Sequence, residues 1–195
     1  MSVIINASTS SGLIQTADTS GMLELQSNGT TQLTVSSTGT YGQLKSGTAQ
    51  ASTSGTSIDF TSIPSWVKRI TVMFNGVSTN GTSLIQIQLG DSGGVETSGY
   101  SGGASYASSA SANSSGLLIE YSGGPAASTV RTGVVTISLL GSNTWCSFGV
   151  LNWNSNSVSV AGSKTLSDTL DRVRITTVNG TDTFDAGSIN ILYEG

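Results

Sequence analysis

From about residue 56 onward, apolar side chains recur at every second position in short, β-branched runs. A period of two places them on one face of an extended strand. Ile70, Val72 and Phe74 face one way in Val67 to Phe74, with Lys68 on the same parity near the strand start. Ile85, Ile87 and Leu89 alternate with Gln86 and Gln88, and Val135, Ile137 and Leu139 with Thr136 and Ser138. Val158/Val160, Val173/Ile175 and Ile189/Ile191 extend the series. Nothing has helical period, apart from a possible turn near Ser167 to Leu170. Asn75-Gly76, Asn80-Gly81, Gly141-Ser142-Asn143 and Asn179-Gly180 supply turn chemistry that tolerates positive φ. Seven or eight strands in roughly 140 residues predict a jelly-roll-like β-sandwich over residues 57–195.

Charge is scarce. Only 9% of the 195 residues are Asp, Glu, Lys or Arg, against about 25% in an average soluble domain. Ser (36), Thr (26) and Gly (25) take their place. Such a composition can signal disorder, but the period-two runs argue for a folded chain with an uncharged polar surface. Seven basic and eleven acidic residues give a net charge of −4. Lys68, Arg69, Arg172 and Arg174 are too thin a cluster to neutralise phosphates, so no nucleic-acid partner is expected. No apolar run reaches the roughly 18–20 residues that span a bilayer, and no membrane insertion is expected. Met1 to Asn6 has neither a basic n-region nor a long h-region, so it does not read as a secretory signal, and synthesis in the cytoplasm is expected.

Residues 1–45 differ from the rest. Their apolar runs hold two or three residues each, and Leu13, Leu23 and Leu33 recur at intervals of ten. So little apolar area, at about 25 cal/mol per Å², does not offset an ordering cost of roughly 1–2 kcal/mol per residue. These strands need a partner, either another protein or identical chains intertwined about a threefold axis. Val3, Ile5, Leu13, Leu23, Leu25, Leu33 and Val35 are the candidate anchor residues. Residues 46–56 read as a Ser/Thr/Gly linker.

Two further segments stand out. Gly99 to Gly116 is almost entirely Ser, Gly, Ala and Tyr, and reads as a long exposed loop. Its Tyr100 and Tyr106, amphipathic rings among small residues, are candidate receptor contacts. Trp145 to Trp153 is apolar on both parities, which predicts burial on both faces, with Trp145 and Trp153 packed in the core rather than serving as a sugar platform. The lone Cys146 within it reads as a small buried hydrophobe.

Catalytic patterns fail on chemistry. Gly90-Asp91-Ser92-Gly93-Gly94 spells a serine-protease nucleophile loop, but the chain has no histidine to take the serine proton. It reads as an ordinary turn after a strand. The close carboxylate pairs Asp91/Glu96, Asp168/Asp171 and Asp182/Asp185 fall in turn-like segments and read as solvated loop groups rather than a glycosidase pair. No carboxylates cluster at alternate positions for calcium. The expectation is therefore no enzyme, no catalytic residue, no metal and no cofactor.

Three stretches carry a resemblance. Ala7 to Gly29 (ASTSSGLIQTADTSGMLELQSNG) looks like the leader segment of phage tail-fibre and virion structural proteins. Phe60 to Ser78 resembles the first strand of their β-sandwich head, and Leu170 to Gly180 with Ser188 to Glu194 is similar to their closing hairpin. The resemblance implies a virion-surface location and other virion proteins, of capsid or tail, as partners. It implies an all-β homotrimer with an N-terminal strand anchor (1–45) and a β-sandwich head (57–195). Two tasks follow, attachment to a host surface glycan or protein, and capsid decoration; a polysaccharide-cleaving tailspike is the distant third.

The chemistry predicts that the purified protein hydrolyses neither peptides, peptidoglycan nor host polysaccharide. Release of reducing ends that disappears in Asp168→Asn or Asp171→Asn would reverse this reading.

Overall fold

The computed structural model describes residues 23–27, 29–36, 39–41, 44–123, 126–127, 129–154 and 156–195. The chain divides into two compact units, Met1–Gln43 and Leu44–Gly195. In the first, β1 (Leu23–Ser27), β2 (Thr30–Ser36) and β3 (Gly39–Tyr41) form an antiparallel sheet in the order β1-β2-β3.

The second unit is built from β4 (Leu44–Ser46), β5 (Gln50–Ala51), β6 (Ser57–Phe60), β7 (Arg69–Thr79), β8 (Ile85–Asp91), β9 (Gly94–Val95) and β10 (Tyr100–Tyr106). It continues with β11 (Ser109–Ala112), β12 (Leu117–Leu118), β13 (Arg131–Gly141), β14 (Thr144–Trp153), β15 (Asn156–Thr165), β16 (Arg172–Thr177) and β17 (Phe184–Glu194). The larger sheet has nine strands in the order β11-β10-β15-β14-β13-β7-β17-β4, with β5 also on β17. The smaller has five, in the order β12-β8-β16-β6, with β9 on β8. All pairings are antiparallel, and the fold is an all-β sandwich. It is wider than the roughly eight strands of a jelly roll, and β13, β14 and β15 form a consecutive meander within one sheet.

One core joins the sheets. Ile70, Val72, Phe74, Val135, Ile137 and Ile191 of the larger sheet meet Ile58, Ile87, Leu89, Val173 and Ile175 of the smaller. Each of these aliphatic side chains contributes about 1.5–3 kcal/mol by leaving water. The alternation read from the sequence is the one that points inward. Gly162 lets the layers close: a Cβ there would lie 2.8 Å from Leu117 Cδ2 of the opposite sheet. Outward positions of the larger sheet are mostly hydroxyls, among them Thr71, Thr132, Thr136, Ser138, Ser157, Ser159 and Ser163.

A buried ion pair also bridges the layers. Arg131 at the start of β13 donates from Nε to Glu120 Oε2 (2.7 Å) and from Nη1 to the Thr129 carbonyl (2.8 Å). Glu120 Oε1 accepts the Ile85 backbone N–H at the start of β8 (2.6 Å). Both side chains are buried, at 0% and 3% exposure. Burial drives the Glu120 carboxyl above its ordinary pKa, while Arg131 and the Ile85 N–H pull it back.

The structure departs from expectation at four places. Residues 46–56 are not a free linker: Gly47 N–H donates to the Ile191 carbonyl (2.7 Å), β5 pairs with β17, and Ser52 is buried on the Gly187 and Ala186 carbonyls. The open edge of β17 takes backbone hydrogen bonds from any chain beside it, with no need for apolar side chains. Asn75-Gly76 is a bulge inside β7, where Gly76 (φ 68°) faces Gly187 (φ 93°) across the pair with β17. A side chain on Gly187 would collide with the Gly76 carbonyl at 2.4 Å. Gly99 to Gly116 is largely a β-hairpin, β10–β11, paired with β15. Trp145 to Trp153 is buried on one face only: Trp145 and Leu151 point inward, whereas Cys146, Phe148 and Val150 are exposed. Cys146 is thus a surface thiol.

Arg131→Met should cost about 3–5 kcal/mol in chemical denaturation, because it strands the Glu120 charge. Adding Glu120→Gln should recover most of that loss.

Candidate functional site

The hairpin β10–β11 holds both tyrosines expected at a contact surface, and the structure removes one of them. Tyr100 is 5% exposed. Its hydroxyl donates to the Glu96 carbonyl (2.9 Å) and accepts the Leu89 N–H (2.7 Å), while Lys164 Nζ lies 5.3 Å from its ring centroid. Burial raises its pKa above the ordinary value. Tyr100 ties the hairpin to the smaller sheet and offers almost no surface for a contact. Its place at an inward position of β10, four residues from buried Ala104, is the signal a loop reading misses.

Tyr106 is half-buried and donates to Asn156 Oδ1 (2.7 Å). It stacks on Tyr121 with ring centroids 5.4 Å apart, and Tyr121 meets Trp153 edge-on at 5.5 Å. Trp153 faces Arg131 in the β13–β14 register, so this cluster sits beside the buried ion pair. Such pairs add about 0.5–1.5 kcal/mol each beyond area burial.

The turn at Gly90–Gly94 is the β8–β9 hairpin. Asp91 Oδ2 accepts the Ser167 hydroxyl (2.6 Å) and Glu96 Oε1 accepts the Ser167 N–H (2.7 Å). Lys164 pairs with Glu96. Both carboxylates of this pair are engaged in holding the β15–β16 connection, and Ser92 lies exposed on the turn. Asp171 is bound by Arg172, and Asp182 caps the Asn179 turn. Among the described residues no group of three His, Cys, Asp or Glu side chains converges as metal ligands.

Two apolar surfaces remain. In the first unit, the register pairs Leu23 with Val35 and Leu25 with Leu33, so four of the anchor candidates share one face of the β1–β2 ribbon. Leu23 and Leu25 are exposed there, and Leu33 and Val35 are half-buried. Val3, Ile5 and Leu13 lie outside the described residues. In the second unit, Phe148 (65% exposed) and Val150 (55%) rise from the outer face of β14, with Val134 directly opposite Val150 on β13. Beside them the same face sinks. Ser159, Ala161, Gly103, Ser105, Ala110 and Ser111 line an open hollow of about 270 Å³ over β15, β10 and β11. The register runs Phe148, Ala161, Gly103, Ala112 across these four strands, from a large side chain to small ones. Sequence reasoning missed Phe148 and Val150 by taking apolar residues on both parities as a strand buried on both faces; one core face and one contact face give the same pattern.

No protein-family model, no curated protein and no solved structure matches this chain.

The carboxyls fix the acid response. The Ser167 hydroxyl holds Asp91 below its ordinary 3.8, the Lys164 ammonium holds Glu96 below 4.5, and the Asn179 amide holds Asp182 below 3.8. Depressed folded-state values contribute stability above the unfolded values and lose it as pH falls through the folded ones. Through these three groups the melting temperature should fall as pH drops below about 4, while protonation of Glu120, whose folded-state value is raised, works in the opposite direction. Asp91→Asn should lower the neutral-pH value and shallow the acid decline.

Proposed function

We propose that this protein is a non-enzymatic, homotrimeric subunit of a bacteriophage virion surface, with the first unit as its anchor on other virion proteins and the sandwich as a head for host attachment. The observation that carries the assembly is the knob of Phe148 and Val150 beside the hollow over Gly103 and Ala161. An aromatic side chain that fills a pocket of a neighbouring copy is the usual energetic centre of an interface. The surrounding Thr and Ser bring no like charges together.

The strand twist supports a ring. Two strand steps separate β14 from β10, at roughly 20–25° each, so knob and hollow do not share a normal. A copy docked on the hollow turns its own hollow away from the first copy's knob, and such heterologous contacts close into a ring when the rotation between copies closes and run on as a filament when it does not. The apolar face of the β1–β2 ribbon supports the anchor. The virion location rests on the resemblance of Ala7 to Gly29 and of the head strands to phage structural proteins.

Light scattering should give three times 19.8 kDa, and Phe148→Asp with Val150→Asp should give monomers that still unfold cooperatively, at a lower melting temperature than the trimer. A wild-type monomer or dimer at micromolar concentration sinks the trimer. Antibodies against the protein should label phage particles; failure to label them sinks the virion reading. A copy number matching the capsid lattice instead of a tail appendage means decoration.

A further inference from the structure

The outer face of the smaller sheet carries polar groups that the core does not use. Gln86 and Gln88 point outward from β8, yet they are only 2% and 6% exposed, because the Asn113–Gly116 segment lies over them. That segment fixes both amides. Gln86 Oε1 accepts the Asn113 Nδ2–H (2.6 Å) and the Ser115 hydroxyl (2.9 Å), and Gln88 Nε2 donates to the Ser115 carbonyl (2.9 Å). Gln86 Nε2 and Gln88 Oε1 are left with no hydrogen-bond partner among the described residues. Each amide therefore keeps one end for something else, a donor on Gln86 and an acceptor on Gln88.

Both glutamines line an open depression of about 330 Å³. In the strand register Gln88 lies beside Arg174 and Gln86 beside Thr176, which lies beside Ser57. Arg174 is already paired with Asp59 through two hydrogen bonds of 2.7 and 2.9 Å, so the floor is electrically neutral. Val178, an exposed apolar side chain, forms part of the rim, and Asn179 holds that rim through three backbone and side-chain donors to its Oδ1.

We propose that this depression binds one neutral pyranose of a surface glycan through Gln86, Gln88 and Val178. This rests on the attachment reading above and names its ligand class. Neutral sugars offer hydroxyls that donate and accept at once, and a ring face of C–H groups. Fixed amide ends of opposite polarity match the first, and Val178 matches the second. The two glutamines stand two residues, about 6.6 Å, apart along the strand, a separation one pyranose with its hydroxyls spans. An anionic ligand gains nothing here, because Asp59 has neutralised the guanidinium. Pre-ordered polar groups also discriminate strongly against ligands that leave them unpaired.

The test uses the full-length protein and neutral hexasaccharide probes: maltohexaose, mannohexaose, chitohexaose and a galactohexaose. Saturation-transfer NMR and calorimetry should show at least one probe bound at millimolar concentration. Val178→Arg, at an exposed rim position, should weaken that binding at least about tenfold with an unchanged melting temperature, and Gln88→Met should weaken it through the floor while also lowering the melting temperature, because the Ser115 carbonyl loses its donor. Phe148→Asp, on the other sheet, should leave it intact. Binding that survives Val178→Arg, or no binding of any probe, overturns the site. Particle labelling is independent of these results, so a failed site with labelled particles leaves the virion reading standing, and a working site without labelling removes that reading alone.

Discussion

A pair of charges that cannot be separated without cost bridges the two sheets of the sandwich. Glu120 and Arg131 lie where water does not reach, and each is tolerable only because the other is present. Their hydrogen bonds run from the start of β13 in one sheet to the start of β8 in the other. That link fixes where β13 enters the larger sheet, and β14, β15 and β7 take their register from β13. The position of Phe148 on the surface therefore follows from a contact in the interior.

The two sheets present different chemistry outward. The larger offers a few large apolar side chains beside a floor of glycine, alanine and serine, which suits contact with another protein surface. The smaller offers amides held in place by a covering segment, which suits a small polar ligand. A chain with both faces can assemble through one and recognise through the other without competition between the two. Half-buried Tyr106 packs with Tyr121 and Trp153 beside the ion pair.

The sequence was most readable where apolar side chains alternate with polar ones. Strands β7, β8, β13, β16 and β17 fall on Ile70 to Phe74, Ile85 to Leu89, Val135 to Leu139, Val173/Ile175 and Ile189/Ile191, because burial of one face leaves a period-two record. The turn at Gly141 to Asn143 is equally plain, with Ser142 and Asn143 both at positive φ. The hairpin β10–β11 left no such record: its order comes from backbone pairing with β15, which Ser, Gly and Ala permit without advertising. The pairing of residues 44–51 with β17 is silent for the same reason. Phe148 and Val150 were visible but ambiguous, since an apolar residue reports the wish to leave water and not the surface that receives it. Gln86 and Gln88 are the polar half of the alternation in β8, and their burial comes from the path of Asn113 to Gly116 over them.

The hydroxyl-rich outer face of the larger sheet has a consequence for how copies come together. Surfaces rimmed by lysine and glutamate must freeze long, many-jointed side chains when they meet, and that ordering opposes association. Thr71, Thr136, Ser138 and Ser159 have one rotatable side-chain bond before the hydroxyl, and in the β-branched threonines it is already restricted. Little motion is left to lose, so in the proposed assembly even a small apolar contact between Phe148 and the hollow of a second copy would suffice, and it would respond little to ionic strength.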